Sequence, residues 1–336
     1  MGLKRATIVD VAERAGVSKS LVSLVMRGSG RVGEDSRRAV LRAADELGYR
    51  PNAVARSLVR QSSGVVGCIL SDLHNPFFAD VADGIEEAAS KGGYRAILSA
   101  GFLDPARESG AVETLLQLQA DGLIMLGPMM SVSKIGAAAR HVPIVVVGQK
   151  TRAKALDSVR NDDEAGAAAV VDHLVGLGHR RIAHIHAGAV GGSRGRREGY
   201  EQAMTRHGLG ADVRSVKGAF TEAGGMRAMR SIIESGNLPT AVFVANDLAA
   251  MGALEALAAA GLRVPDDVSL VGYDDIITSH SARVALTTVA QPSVEMGRTA
   301  VDLLIERLLK GRTEARHIVL PPQLVVRGST AAPARP

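Results

Sequence analysis

Three polar side chains near the N-terminus, Lys19, Ser20 and Ser23, are spaced so that a helix would present them on one outward face. An ammonium group and two hydroxyls can donate hydrogen bonds to phosphate oxygens and to the edges of bases. The spacing therefore indicates a surface able to read DNA, although an ordinary helical hairpin would have the same spacing.

Two short helices joined by a tight turn would position these side chains. Apolar residues recur at intervals of three and four over Ile8–Ala15, which predicts one buried helical face. Gly16 follows at a turn that favours glycine, and Ser18 can cap the next helix. Leu24 is expected on the outward face of that second helix. The residues expected on its buried side are Leu21, Val22 and Val25.

The positive charge of the chain is concentrated in this N-terminal region. Residues 1–60 contain twelve Lys and Arg against six Asp and Glu, whereas residues 61–336 contain 28 against 29. A basic region with helical periodicity is typical of a protein segment that neutralises phosphates. The charge distribution therefore favours DNA binding over the helical hairpin.

Two further helices are predicted in the N-terminal region. An amphipathic pattern predicts a helix over Glu34–Leu47, with Gly48 placed to end it. Asn52 can cap a short helix over residues 53–59, which is about two turns long and marginal by itself in water. The short helix is either a linker or an element that becomes ordered when DNA and a partner chain are present.

From residue 65 to residue 273, apolar runs typical of buried strands alternate with amphipathic helical segments. This alternation predicts parallel sheets covered by helices on both faces. A break near Gly148–Asp162, expected to be a loop, divides the pattern into two α/β lobes. A ligand cleft is expected between them, where the ends of strands meet loops.

Export, membrane insertion and disulfide bonding are not expected. Cys68 is the one cysteine, and its apolar neighbours indicate a packing role rather than a nucleophile. The sequence has no leader pattern and no run of eighteen apolar residues. The prediction is a cytoplasmic protein.

A glycine-rich segment, Gly188–Arg197, carries three arginines and could hold the phosphate of an anionic ligand. It lacks the Lys-Ser/Thr ending of a nucleotide-hydrolysing loop. His184 and His186 alternate along a predicted strand at a spacing compatible with a metal, but no third ligand is evident. Neither a metal nor a cofactor is expected.

Motifs distributed over essentially the whole chain resemble those of LacI/GalR-type bacterial transcription regulators. In chain order they are Thr7–Ala12, Ala15–Ser18, Leu47–Leu58, Asn75–Phe78, His173–Leu174, Gly178–Ile182, Ala245–Asp247, Val271–Asp275, Leu286–Val289 and Gln291–Pro292. Each motif alone is a weak signal, whereas all of them in this order are specific. The resemblance implies an N-terminal all-α helix-turn-helix headpiece with a hinge helix, followed by a periplasmic-binding-protein-like α/β body of two doubly wound parallel-sheet lobes.

The same resemblance implies how residues 1–60 would bind DNA. Ser18–Leu24 would form the recognition helix in the major groove. A hinge helix at 52–59 would enter the central minor groove beside its counterpart in a dimer, where Leu58 would unstack a base step and kink the duplex. The DNA-binding residues implied are Thr7, Ser18, Lys19, Ser20, Ser23, Leu24, Arg27, Asn52, Ala55, Arg56 and Leu58.

At two positions this chain departs from the family pattern, so the base preference of better-known members does not transfer to it. Leu24 stands where many members have an arginine that can bind guanine, and Val59 stands where a lysine or arginine is common. We therefore expect Lys19 and Ser20 to provide much of the base discrimination.

For the effector, the resemblance implies a site made of carboxylates, amides, an arginine and aromatic rings. Carboxylates and amides bond to the hydroxyl groups of a carbohydrate, and an aromatic ring can cover the apolar face of a sugar. The residues implied are Phe78, Asp162, Arg196, Phe220, Asn246, Asp274 and Gln291.

The resulting hypothesis is a repressor of transcription whose body, residues 61–336, binds the effector and dimerises. Its first lobe is expected at about 64–161 plus 291–325 and its second at about 162–290. Two chains would bind a pseudo-palindromic double-stranded operator, with a tetramer left open. Effector binding would reorient the lobes and change operator affinity in a direction that the sequence leaves open.

Two other functions compatible with an α/β body are weaker alternatives. An enzyme acting on a sugar would need a nucleophile with an adjacent base, and no Gly-x-Ser-x-Gly turn is found. The solute-binding protein of a transporter would share the two-lobed body but not the basic N-terminal region.

Overall fold

The computed structural model describes residues 6–26, 32–50, 62–281 and 285–334. It divides into two compact units, Met1–Ser63 and Gly64–Pro336, which we call the headpiece and the body. No helix in the described ranges is long and apolar enough to cross a membrane.

The described part of the headpiece contains three of the expected helices, whereas the short helix expected over residues 53–59 lies outside the described residues. Local hydrogen bonds fix the ends of the first two. Thr7 begins the first helix with a capping box, in which its hydroxyl accepts from the Asp10 amide and Asp10 accepts from the Thr7 amide at 2.7 Å. Gly16 ends that helix at a φ of 66°, and the Ser18 hydroxyl accepts from the Leu21 amide at 3.2 Å. The helices are α1 Ile8–Ala15, α2 Lys19–Met26 and α3 Glu34–Glu46.

The headpiece core is built mainly from small and β-branched side chains on these helices. Its buried residues are Val11, Ala12, Val22, Val25, Val32, Val40, Ala43 and Ala44. Leu24 packs against this core and is partly buried, so its expected outward orientation is wrong. Burying part of this apolar side chain against the core is favourable, whereas the polar Lys19 and Ser20 of the same helix remain exposed.

The body alternates strands and helices as the sequence predicted. Its described strands are β1 Val65–Leu70, β2 Arg95–Ala100, β3 Gly122–Leu126, β4 Ile144–Val147, β5 Asp157–Asn161, β6 Ile182–His186, β7 Arg214–Lys217, β8 Ala241–Val244, β9 Ser269–Val271, β10 Thr288–Ala290, β11 His317–Leu320 and β12 Gln323–Val325. Its described α-helices are α4 Pro76–Lys91, α5 Pro105–Gln117, α6 Val132–Ala138, α7 Asp163–Gly176, α8 Ser193–Arg206, α9 Glu222–Glu234, α10 Asp247–Ala259 and α11 Ser293–Lys310. Short 3₁₀ turns lie at Gly210–Asp212 and Ile277–His280.

Two parallel sheets form the centres of the two lobes. The described strands of the first lobe pair in the order β11-β5-β4-β3-β1-β2, and those of the second in the order β7-β6-β8-β9. Strands β10 and β12 form a separate antiparallel pair. Because both sheets are parallel, the carboxyl ends of each set of strands face one edge, where a cleft can form.

The expectation of a loop over Gly148–Asp162 is wrong, because β5 lies within it. This strand reads Asp-Ser-Val-Arg-Asn and shows no apolar run, yet it is almost entirely buried. Asp157 is fully buried because Arg307 and Arg312 bind its carboxylate with N–O distances of 2.7 and 2.6 Å. Residues distant in sequence thus provide the ion pairs that allow a polar strand to be buried. The local sequence pattern around the strand gives no information about these partners.

Glycines allow pairs of helices in both lobes to pack backbone against backbone. A Cβ atom at Gly84 of α4 would lie 2.1 Å from the Val294 carbonyl oxygen of α11. A Cβ at Gly252 of α10 would lie 1.9 Å from the Glu222 carbonyl oxygen of α9. Side chains at these positions would force the helices apart.

Candidate functional site

The candidate DNA-binding face of the headpiece is centred on the first turns of α2. Ser18, Lys19 and Ser20 are exposed, and the Ser18 hydroxyl caps α2. Thr7 is exposed and caps α1, and Ser23 is half-buried. The other expected DNA-binding residues, Arg27, Asn52, Ala55, Arg56 and Leu58, lie outside the described residues.

The candidate effector site is a cavity in the body of about 720 Å³, including the solvent at its opening. Its walls come from the carboxyl ends of strands and the turns that follow them in both lobes. Expected residues that line it are Phe78, Arg196, Phe220, Asn246, Asp274 and Gln291. Asp162 does not line it, because its side chain turns back to cap α7 and accepts from the Ala165 amide at 3.1 Å.

Arg196 is the centre of the polar network in this cavity. Its Nε donates to Asp163 Oδ1 at 2.9 Å, and its Nη1 lies 3.6 Å from Asp274 Oδ1 and donates to the Ala245 carbonyl. The guanidinium carbon lies 3.6 Å from the centre of the Tyr273 ring, in a cation–π contact. The buried guanidinium is thereby fixed in one orientation.

Asp163, the residue after the expected Asp162, lines the cavity and was not among the expected residues. It begins α7, is buried, and bonds to Arg196. Burial raises the pKa of Asp163, although the adjacent Arg196 opposes this shift. Of these two consecutive aspartates, Asp162 caps α7 and Asp163 faces the cavity. Their residue type alone does not reveal which of them takes which position.

Asp274 connects groups from several elements of the body. Gln291 donates to its Oδ1 at 2.6 Å, and Asn75, which caps α4, lies 3.5 Å from its Oδ2. Burial raises the pKa of Asp274 to about 6, with Arg196 opposing the shift. Its φ of 112° is rare for a side-chain-bearing residue and indicates a strained turn held by its surroundings.

The remaining walls combine an amide and aromatic rings. Asn246 caps α10 by accepting from the Ala249 amide at 3.0 Å, and its amide nitrogen donates to the Phe220 carbonyl at 3.2 Å. Phe78 is half-buried beside the buried Phe77, with ring centres 5.3 Å apart. The arrangement offers acceptors at the centre of the cavity and apolar faces at its sides.

The two histidines singled out by their spacing are parts of the core of the second lobe. The His184 ring stacks on Phe243 at 4.5 Å, and its Nδ1 lies 3.0 Å from the Phe243 carbonyl oxygen. Burial lowers the pKa of His184 to about 3. His186 Nδ1 accepts from the Gly188 amide at 3.0 Å. Within the described residues, no group of three or more His, Cys, Asp or Glu could hold a metal ion.

Asp247 holds the strained turn that carries Asp274. It is buried at the start of α10, where its carboxylate accepts from the Thr288 hydroxyl at 2.6 Å and from the Ile276 amide at 3.0 Å. Burial, together with the charge of Asp274, raises the pKa of Asp247 to about 8 from its ordinary value of 3.8. The folded state therefore keeps a proton on Asp247 at pH values where the unfolded chain has lost it.

An Asp247→Asn variant is expected to lose the pH dependence that this proton gives to stability. Because the folded chain binds the extra proton between about pH 4 and about pH 8, the contribution of Asp247 to the free energy of unfolding falls as pH rises through this window. Asparagine can keep both hydrogen bonds if the Thr288 hydroxyl becomes the acceptor. Urea unfolding should show wild type more stable relative to the variant at about pH 5 than at about pH 8.

The matched control is Asp266→Asn, which removes an exposed carboxylate near Arg263. Its stability difference from wild type should stay constant over the same pH range. A constant difference for Asp247→Asn as well would contradict the assigned protonation.

Both units match families of known proteins. Residues 7–52 match a family model described as bacterial regulatory proteins, lacI family, and residues 171–330 match one described as a periplasmic binding protein-like domain. The HTH-type transcriptional regulator DegA of Bacillus subtilis is 35% identical, with 97% of this chain and 98% of that protein covered.

Solved structures give the same assignment. The lac repressor dimer bound to operator and the anti-inducer ONPF is 30% identical, covers 98% of this chain and 100% of its own, and has a TM-score of 0.86. The transcriptional regulator CelR in complex with cellobiose is 32% identical, covers 97% and 100%, and has a TM-score of 0.72.

A helix-turn-helix headpiece joined to a periplasmic-binding-protein-like body defines a DNA-binding regulator of transcription. The similarity to DegA extends over nearly the full length of both chains. The chain belongs to the LacI family of bacterial regulatory proteins. The alternatives of a sugar enzyme and a transporter's solute-binding protein are set aside, since relatives over nearly the whole chain are named as a transcriptional regulator and a transcriptional repressor.

Proposed function

We propose that this protein represses transcription as a homodimer on a pseudo-palindromic operator, and that a carbohydrate in the cavity changes its operator affinity. The observation that carries this proposal is the contact of Asn75 and Asp274 at 3.5 Å inside the cavity. Asn75 begins α4 beside the first sheet, whereas Asp274 follows the last strand of the second sheet. An occupant bonded to both residues would bind the two lobes at once.

The proposed effect on DNA follows from differential binding. A ligand changes the balance between two lobe orientations only by the difference between its affinities for them. Hydroxyl groups that bond to Asp274 from one lobe and to Asn75 from the other fit one orientation better than another. The complex of CelR with cellobiose supports a ligand of the carbohydrate class.

The proposed homodimer is supported by apolar side chains exposed on the body. Strand β2 is at one edge of its sheet, and its Leu98 side chain is 53% exposed. Ile277 in a 3₁₀ turn is 71% exposed. An edge strand with exposed apolar residues is prone to pairing unless another surface covers it.

Lys19→Ala is expected to relax the sequence preference of the full-length protein. Lys19 is exposed at the start of α2, where it can bond to the edge of a base. Losing one specific base contact should reduce discrimination at the matching operator position by about 1–3 kcal/mol. Selection of binding sites from a random-sequence DNA pool measures this effect position by position.

The control is Lys134→Ala, which removes the same charge from an exposed position on α6 of the body. It should leave the selected sequence unchanged. Selection of one and the same site by wild type and Lys19→Ala would contradict the role of Lys19, and no enrichment by wild type would contradict operator binding itself.

A further inference from the structure

We propose that the cavity selects a polyhydroxylated ligand without phosphate or carboxylate groups and rejects the anionic forms of the same compound. This inference rests on the proposed function and specifies the chemistry of its effector. It concerns the charges that surround Arg196 and the first turn of α8.

Acidic groups outnumber basic groups on the cavity wall. Asp72, Asp163 and Asp274 line it as buried carboxylates, and Arg196 is the one Lys or Arg among the described lining residues. In a site of low effective dielectric constant, a further negative charge on the ligand, close to these carboxylates, is strongly disfavoured. A phosphorylated ligand would bring such a charge without a free cation to meet it.

Two of the three nitrogens of the Arg196 guanidinium are committed to groups of the protein. Its Nε bonds to Asp163, and its Nη1 serves the Ala245 carbonyl and faces Asp274. Its flat face lies against Tyr273. A phosphate could take these donors only by displacing a buried carboxylate, which would then lose its partner.

Asp163 also lies against the first turn of α8. A Cβ atom at Gly192, which precedes α8, would lie 2.6 Å from both carboxylate oxygens of Asp163. A Cβ at Gly195 would lie 2.9 Å from the Asp163 Cβ. The N-terminus of a helix attracts anions, and here the protein supplies its own.

The arginines of Gly188–Arg197 therefore do not form the phosphate site that their sequence allowed. Arg194 pairs with Glu198 at 2.7 Å and Arg197 with Glu201 at 3.7 Å, both one turn further along α8. Each arginine of the segment thus faces a carboxylate of the protein, and Arg196 is the one of the three that lines the cavity.

Hydroxyl groups suit what remains available in the cavity. The oxygens of Asp163 and Asp274 can accept hydrogen bonds from hydroxyl groups, and the amide of Gln291 can exchange its bond to Asp274 for one to a ligand. Phe78 and Phe220 give apolar walls for the carbon-bound hydrogens of a sugar ring.

The test is a thermal-shift titration of the full-length protein with matched pairs of compounds. Ribose is compared with ribose 5-phosphate, glucose with glucose 6-phosphate and glucuronate, and cellobiose with its phosphate. We expect binding by at least one neutral compound and at least tenfold weaker binding by its anionic partner, equivalent to about 1.4 kcal/mol. An anion that binds as tightly as its neutral partner would overturn this inference but leave the proposed function standing. If no compound shifted the melting temperature in either its neutral or its anionic form, the proposal of a carbohydrate effector would be overturned, and this inference with it.

A variant tests whether Asp163 causes the discrimination. Asp163→Asn should narrow the gap in affinity between the neutral and phosphorylated forms at least threefold, because it leaves a cation and a helix N-terminus without their anion. Asp266→Asn, an exposed change near Arg263, should leave the gap unchanged. An unchanged gap in Asp163→Asn would overturn the role of Asp163. Should this variant not fold, the comparison of neutral and anionic compounds on wild type still decides the proposal.

Discussion

Replacement of Arg196 by leucine is expected to lower the free energy of unfolding of the body by about 3–5 kcal/mol and to abolish effector binding. Asp163 and Asp274 are both buried and face this guanidinium. Without it, two carboxylates remain in a poorly solvated space with no cation, and Tyr273 loses its cation–π partner. Urea unfolding of wild type and variant measures the loss.

The pH dependence of this loss identifies its cause. Without Arg196, Asp163 and Asp274 can avoid the unpaired charge by taking up protons, so the destabilisation should be smaller at about pH 5 than at about pH 8. Arg194→Leu provides the control, because it removes an exposed arginine paired with Glu198 on the same helix. Comparable destabilisation by Arg194→Leu, or a loss independent of pH in Arg196→Leu, would contradict the electrostatic explanation.

Gly252→Ala is expected to destabilise the body by about 2–3 kcal/mol, although alanine favours a helix more than glycine does. The added Cβ would lie 1.9 Å from the Glu222 carbonyl oxygen, and Gly225 packs equally closely on the Ala249 carbonyl. The obstacle is backbone rather than a flexible side chain, so α9 and α10 must separate and lose contacts over their length. Thermal and urea unfolding measure the change.

Gly110→Ala is the matched control, because Gly110 lies within α5 and an added Cβ there would meet no atom within 4 Å. It should be neutral or stabilising by about 0.5–1 kcal/mol. If Gly252→Ala were also neutral, the close approach of the two helices would not be required for stability.

The fold could be predicted from the sequence where neighbouring residues determine it. The apolar runs of β1, β3 and β4 lie within the alternating pattern that predicted parallel strands, because a buried parallel strand consists of apolar residues. Strand β5 was missed because Asp157 becomes buriable only through Arg307 and Arg312, about 150 residues away along the chain.

The candidate site shows the same division between local and distant information. The family resemblance led to Arg196, Asp274 and Gln291, and the structure brings them together with measurable contacts. The resemblance implied Asp162 and not Asp163. Which of the two aspartates caps α7 depends on where the chain passes from β5 into the helix, and residue type does not show this. Asn75 was recognised within a motif but not as a partner of Asp274, since no local pattern relates residues on opposite sides of a cleft.

The carboxylate of Asp163 at the first turn of α8 has a consequence for how the protein responds to its surroundings. It is an intramolecular competitor, tethered beside its binding position at an effective concentration of about millimolar or above. Free phosphate, sulfate and organic acids can bind here only in competition with it. We therefore expect a change in the concentration of free anions to alter the occupancy of this position less than it would if Asp163 were absent.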